Sequence, residues 1–362
     1  MADPARPRIT GIDVLSASGR GAQAQLAAVL TGAPAFRAVD RFEVTARRVG
    51  TAATLAGAGP LADELVATVD GACRDAGLDA AGRAGCPLLL AVHGGPGTVE
   101  LAGAVAAGAG LRAGVRVYTT ACVSGSTALI AAAARIAAGT LDRAVVAAGY
   151  LVEPEQFALF DSGLTLARDG AVRPFSAGRQ GLLLGDAVTA VVLEAPTARP
   201  TRDAIATIAG WGRAGDAYHP CQPDPTGQGL ARAAGAALRR AGLDAAAVGY
   251  VNANANGTSL GDAAEAAALG RIFGAAVGAV PVSSTKSVHG HGLEGSALLE
   301  LVITALALRH GKLPVNAGFL AADPACPLDV ITAAPRPVVS PYALSLNSAF
   351  GGANTAVLVR TP

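Results

Sequence analysis

Short apolar, β-like runs alternate along this chain with longer Ala-rich stretches of helical character. The short runs fit buried strands and the longer ones fit helices packed on them, so the rhythm predicts an α/β fold. Strands are predicted at residues 8–15, 87–92, 115–118, 143–148 and 187–193, and helices at 22–30, ended by Gly32, at 60–76 and at 124–138. The second half repeats the rhythm, with strands at 205–211, 248–252, 280–283, 344–348 and 355–359 and helices at 229–241, 262–272 and 294–310. In both halves a β-run meets a polar turn that opens a small-residue helix, at residues 119–126 and 283–296, which hints at an internal duplication. The stretch 195–202, with two prolines, is the candidate linker and divides the chain into residues 1–195 and 196–362.

Composition narrows the class. Over 362 residues, 51% are hydrophobic, ample for a large core, so disorder and a disulfide-stapled miniature are both excluded. Aromatics are only 4%, so Ala, Val and Leu must fill that core. Lys and Arg number 28 against 27 Asp and Glu, and this balance offers nothing to nucleic acid or an anionic membrane surface. No run reaches the roughly 18 apolar residues of a membrane span. Five cysteines, none in a C-x-x-C pair, argue against a disulfide framework or a zinc site and fit a reducing cytoplasm. The N-terminus lacks the basic-then-apolar pattern of a signal peptide. Only Lys286 and Lys312 are lysines; every other basic side chain is arginine.

Four segments carry candidate chemistry. In Tyr118-Thr119-Thr120-Ala121-Cys122-Val123-Ser124-Gly125-Ser126 a cysteine lies between a strand and a helix start. Unpaired N–H groups and the positive end of the helix dipole are expected to lower its pKa and make it a nucleophile. A buried structural cysteine is the plainer reading, and the commoner fate of a free thiol. In Ser283-Ser284-Thr285-Lys286-Ser287-Val288-His289-Gly290-His291-Gly292 two histidines among glycines make poor core filler. A metal would need companion ligands that are not evident, so an imidazole serving a carbonyl or enolate oxygen is the sharper reading. Asn252-Ala253-Asn254-Ala255-Asn256-Gly257-Thr258, then Asp262 and Glu265, is either a polar turn with a helix cap or a loop of donors facing a substrate. Asn347-Ser348-Ala349-Phe350-Gly351-Gly352-Ala353-Asn354 is a glycine loop between strands. No dinucleotide fingerprint, phosphate loop or G-x-S-x-G occurs.

Together, and in this order, these segments resemble the β-ketoacyl synthase family of condensing enzymes. Thr120-Ala121-Cys122 resembles the nucleophile segment, and Arg173-Pro174-Phe175 with Gly185-Asp186 the family's R-P-[FW]…G-D. Asp216-Ala217-Tyr218-His219 matches a segment near the active-site mouth, and Ser284-Thr285-Lys286-Ser287 with Gly290-His291 matches S-T-K-S-x-x-G-H. Phe350-Gly351-Gly352-Ala353-Asn354 resembles the closing F-G-G-x-N loop. The resemblance implies a thiolase-like five-layer αβαβα sandwich of two pseudo-duplicated halves, a homodimer or a heterodimer with a second ketosynthase subunit, and no cofactor. Acyl groups would arrive on the phosphopantetheine of an acyl carrier protein.

The chain also departs from the family. Ala253-Asn254-Ala255-Asn256-Gly257-Thr258-Ser259-Leu260-Gly261-Asp262 aligns without gaps on A-H-G-T-x-T-P-x-N-D, so Asn254 replaces the first catalytic histidine while Asp262 and Glu265 remain. Between His93 and Tyr118 the chain is about 25 residues shorter than family members, in a stretch that helps shape the acyl tunnel and the dimer interface. The loop ahead of Phe350 is altered as well.

The resemblance implies that Cys122 takes an acyl group as a thioester and that the enolate from a decarboxylating malonyl-carrier thioester attacks it. His291 and Asn254 would hold the malonyl carbonyl, and Lys286 would orient the polar network. Phe350 and Gly351 would gate the site and, with backbone N–H groups near Cys122, supply the oxyanion hole. Asn256 and Thr258 would bind pantetheine or substrate, with Asp262 and Glu265 in support. Two alternatives stand beside this one. A chain-length-factor-like partner without chemistry of its own is favoured by Asn254 and the shortened interface and opposed by Cys122, His291 and Lys286. The other is an acyltransferase that does not condense.

Overall fold

The computed structural model describes residues 6–198 and 203–362, so the last four residues of the candidate linker lie outside the described residues. The main strands are β1 (Arg8–Ser16), β2 (Leu88–Ala91), β3 (Val115–Tyr118), β4 (Arg143–Tyr150), β5 (Ala187–Glu194), β6 (Ala206–Gly215), β7 (Val248–Asn252), β8 (Pro281–Ser283), β9 (Asp329–Val330), β10 (Tyr342–Ala349) and β11 (Ala353–Arg360). The main helices are α1 (Ala22–Thr31), α2 (Leu61–Asp75), α3 (Thr98–Gly108), α4 (Ser124–Ala137), α5 (Pro154–Ser162), α6 (Gln228–Ala241), α7 (Ser259–Phe273) and α8 (Leu293–His310).

The strands join in the order β9-β8-β7-β10-β11-β6-β1-β5-β4-β2-β3. The duplication expected from the rhythm is explicit in this order. From β1 outward, β5 and β4 pair antiparallel and β2 and β3 parallel; from β6 outward, β11 and β10 pair antiparallel and β7 and β8 parallel. The two half-sheets pair with one another at Arg8↔Thr207 and Ile9↔Ala206.

Helices on both faces of each half complete five layers. Helix α2 packs on β1, β5 and β4, with α3 beside it, and α6 packs on β6, β11 and β10, with α7 beside it. Between the half-sheets lie α4 and α8, each touching strands of both halves and one another. A helix enclosed on all sides has no polar face, and α8 is buried continuously from Leu293 to Leu308. The strands read as apolar runs for the same reason: every residue of β5 is buried. In contrast α6 keeps a solvent face, carries Arg239 and Arg240 in its last turn and stops at Gly242 in the left-handed conformation. Among the described residues no helix is long and apolar enough to cross a membrane.

Two of these main helices went unpredicted. Helix α3 follows His93-Gly94-Gly95-Pro96-Gly97, which signals a turn, and its Ala/Gly composition shows no clear period. Helix α5 spans only nine residues, although Pro154 at its first position is a start signal. The topology also decides where the chemistry lies. After β3 and after β8, the equivalent strands of the two halves, the chain turns and enters α4 and α8, so the N-termini of both central helices lie side by side.

Candidate active site

Cys122 sits in a single 3₁₀ turn, Ala121–Val123, between β3 and α4. Ala121 ahead of it has φ +50°, a left-handed conformation that costs a non-glycine residue of order 1 kcal/mol and aims the thiol inward from the helix start. The Cys122 Sγ lies 3.2 Å from His291 Nε2. Ser296 Oγ lies 3.0 Å from His291 Nδ1 and accepts the Gly292 N–H at 2.8 Å. The backbone of His291 is gripped by strand-like bonds: its N–H donates to Leu183 O, and its carbonyl accepts from the Gly185 N–H. Gly185 is required here because a Cβ would overlap the His289 carbonyl oxygen. The next residue, Asp186, is fully buried and takes Arg41 and the Leu55 and Val152 N–H groups.

The expected low thiol pKa is not what this geometry produces. Burial pushes Cys122 up to about 12, and Glu294 acts in the same direction, outweighing Lys286 and the backbone. Burial and the positive charge of Lys286 hold His291 well below the usual histidine range, so the imidazole is neutral at pH 7. The resting pair is therefore a thiol facing a neutral base, and attack by sulfur requires proton transfer to His291. Iodoacetamide labelling of Cys122 should accordingly rise about tenfold per pH unit from pH 7 to 10 without levelling. Peptide-resolved labelling separates it from Cys221, the exposed thiol. A plateau below pH 8 would contradict the burial effect.

Lys286 and Glu300 form a second unit. Both side chains are 0% exposed, with Lys286 Nζ 2.6 Å from Glu300 Oε1. Asn347 Nδ2 donates to Glu300 Oε2 at 2.7 Å, and Lys286 Nζ donates to Asn254 Oδ1 at 3.3 Å. An ammonium only donates, so the amide oxygen of Asn254 must face Lys286 and its NH₂ must point away. The backbone N–H of Asn254 is fixed on Glu265 Oε1 at 2.8 Å. Burial pushes Glu265 up to about 8 and Asp262 up to about 6. Asp262 gathers the loop: Oδ1 accepts from the Asn256 and Gly257 N–H groups and Oδ2 from that of Phe175.

Other candidates lie elsewhere or are already engaged. Asn256 Oδ1 accepts from the Thr258 N–H and hydroxyl, so these two bond to each other at the start of α7, as a helix-entry turn does. The Gly351 N–H donates to Pro220 O at 2.7 Å, which removes it as an oxyanion donor. Phe350 is half exposed and stacks on Phe160 with centroids 6.0 Å apart. The loop behind it is tied down by Asn354, whose Nδ2 donates to Asp216 Oδ1 at 2.7 Å, joining two segments noted separately in the sequence. His289 turns away from His291: its ring bonds Gly290 O and Thr285 Oγ1, and burial pushes it down to about 3.

The sequence alone assigned no role to Glu300, Asn347, Ser296, Glu294 or His93. Glu300 had a signal, a lone acid within the apolar run Leu298–Ile303. Glu294 and His93 gave none beyond their types; in the fold, His93 Nδ1 lies 3.0 Å from Glu294 Oε1.

Comparison with known proteins identifies the family of the chain. Residues 90–198 match the family model "Beta-ketoacyl synthase, N-terminal domain", and residues 205–320 match "Beta-ketoacyl synthase, C-terminal domain". The chain is 38% identical over 191 residues to 3-oxoacyl-[acyl-carrier-protein] synthase 2 of Staphylococcus aureus, covering 52% of this chain and 47% of that one. It is 35% identical over 263 residues to nodulation protein E of Rhizobium sp. (strain N33), covering 72% and 64%. The matches thus span about half to two thirds of the length of these curated relatives. Among solved structures, the ishigamide ketosynthase/chain length factor superposes with TM-score 0.92 at 25% identity, covering 99% of this chain and 100% of that one. A β-ketoacyl synthase from Burkholderia phymatum STM815 gives 0.89 at 28% identity, with the same coverage.

Proposed function

The chain belongs to the β-ketoacyl synthase family of condensing enzymes, and on that premise we propose that it catalyses acyl transfer to Cys122 followed by decarboxylative condensation with a malonyl thioester. In the first step His291 Nε2 takes the thiol proton as sulfur attacks the carrier thioester. The carbon–sulfur bond to the carrier breaks, and the departing thiolate recovers that proton. In the second step the malonyl thioester loses CO₂, and negative charge grows on its carbonyl oxygen. Donors fixed before the charge develops stabilise it without reorganising. Here they are the Asn254 NH₂ and the His291 Nε2–H, the latter present once the ring has lost its Nδ1 proton to solvent and gained one on Nε2, with Ser296 then donating to Nδ1. The nucleophilic carbon then attacks the Cys122 thioester, a carbon–carbon bond forms, and the Cys122 thiolate is released to be protonated.

The observation that carries this reading is the Lys286–Asn254 contact, because it turns the substituted asparagine into an oriented N–H donor. An acyl carrier protein would deliver both substrates, as the name of the Staphylococcus relative implies for that enzyme, with no resident cofactor. The protein would work as a homodimer or beside a second ketosynthase subunit; the ishigamide pair is described as a ketosynthase with a chain length factor. The test mixes the purified chain with acyl- and malonyl-carrier thioesters. One CO₂ is expected per β-ketoacyl product, and the product should vanish in Cys122→Ala. A chain silent alone, whose Cys122→Ala form still supports a partner ketosynthase, would instead be the non-catalytic subunit.

A further inference from the structure

Next to the segments that carry Cys122 and His291 lies a polar pair that the condensation steps leave unused. Glu294 occupies the first turn of α8, its side chain only 6% exposed, and its Oε1 bonds His93 Nδ1. Its other oxygen, Oε2, is buried and has no hydrogen-bond partner among the described residues. A buried carboxylate oxygen without a donor is costly, which marks it as a place where a donor is expected to arrive.

The backbone beside each member of the pair adjoins the segment that carries the nucleophile. A Cβ on Gly94, next to His93, would lie 3.3 Å from Thr119, three residues ahead of Cys122; a Cβ on Gly125, three residues after it, would lie 3.1 Å from the Glu294 carbonyl oxygen. Of the charges around the thiol, Glu294 acts on it most strongly, ahead of Lys286. The same carboxylate acts on Glu153, at the start of α5, as does His93. The His93 side chain is 56% exposed, so the pair lies where the buried site meets solvent. An apolar acyl chain offers Glu294 Oε2 nothing, whereas a hydroxyl or ammonium would supply the missing donor.

We propose that Glu294, held by His93, is a specificity residue that selects acyl groups carrying a hydrogen-bond donor, hydroxyl or ammonium, close to the thioester bound at Cys122. This rests on the acyl-transfer reading above and adds the substrate class to it.

The test is a competition for Cys122 among butyryl-, 3-hydroxybutyryl- and 3-aminobutyryl-pantetheine, read on the Cys122 peptide by mass. The full chain should take at least one donor-bearing group about tenfold or more faster than butyryl, because an analogue lacking the donor leaves Oε2 unpaired. The faster of those two arms distinguishes hydroxyl from ammonium. In Glu294→Leu the ratio should fall to near one, and a ratio does not depend on how much of the preparation is folded. Glu294→Gln keeps an acceptor oxygen but loses the charge, so it should retain part of a hydroxyl preference and little of an ammonium preference. Equal rates for all three thioesters in the unmodified chain, or an unchanged ratio in Glu294→Leu, would overturn the specificity role and leave acyl transfer standing. No label on Cys122 from any thioester would overturn both.

Discussion

Replacing Lys286 with methionine should cost about 3–5 kcal/mol of folding stability, because it strands the Glu300 carboxylate in the central layer without its cation. Lys286 and Glu300 are both fully buried and 2.6 Å apart. Burial pushes Glu300 up and Lys286 pulls it the other way, so the removal of the lysine leaves burial unopposed except for the Asn347 bond. Urea unfolding followed by circular dichroism would measure the loss. The double variant Lys286→Met with Glu300→Leu should recover most of it, since two well-packed apolar side chains often replace a buried ion pair at little cost. A single variant within about 1 kcal/mol of the original would show that the pair is not the strut described here.

The second large effect concerns Asn254. Loss of one fixed donor to a developing oxyanion typically costs about 10²–10³ in rate, so Asn254→Ala should lower malonyl decarboxylation and condensation by that factor. Acylation of Cys122 should largely survive, because that step runs through the Cys122–His291 contact and not through Lys286. Rapid-quench measurement of acylation, beside CO₂ release from malonyl-carrier thioester, separates the two. Equal losses in both steps would mean that the loop is merely structural. Asn254→His is a useful companion: it restores a ring N–H donor but places a basic group against the Lys286 ammonium.

Much of this arrangement could be read in the chain because local signals and tertiary demands coincide. Helix α1 ends where Gly32 adopts the left-handed conformation, and β3 spans the four residues that the apolar run marks. The junctions holding Cys122 and His291 were legible because a strand, a polar turn and a small-residue helix follow one another twice. Long-range electrostatics were not legible. Sequence places Cys122 near a helix start and so suggests an acidic thiol; only the fold shows it enclosed, and burial, with the charge of Glu294 acting the same way, reverses the direction. The role of Gly351 failed for a similar reason, since its N–H is taken by Pro220, some 130 residues earlier in the chain. Helix α3 was hidden because Ala and Gly on a half-exposed helix leave no periodic contrast to detect.

The central claim is that Cys122, with neutral His291 as its base, becomes covalently acylated. The most direct measurement incubates the full chain with an acyl-carrier thioester at pH 7 and maps the peptides by mass. One acyl group is expected, on the Cys122 peptide, released by hydroxylamine and absent from Cys122→Ala, with His291→Ala slowing its appearance by about 10²-fold or more. Acyl groups found only on Cys221 or another cysteine, or acylation of Cys122 at an undiminished rate in His291→Ala, would contradict it.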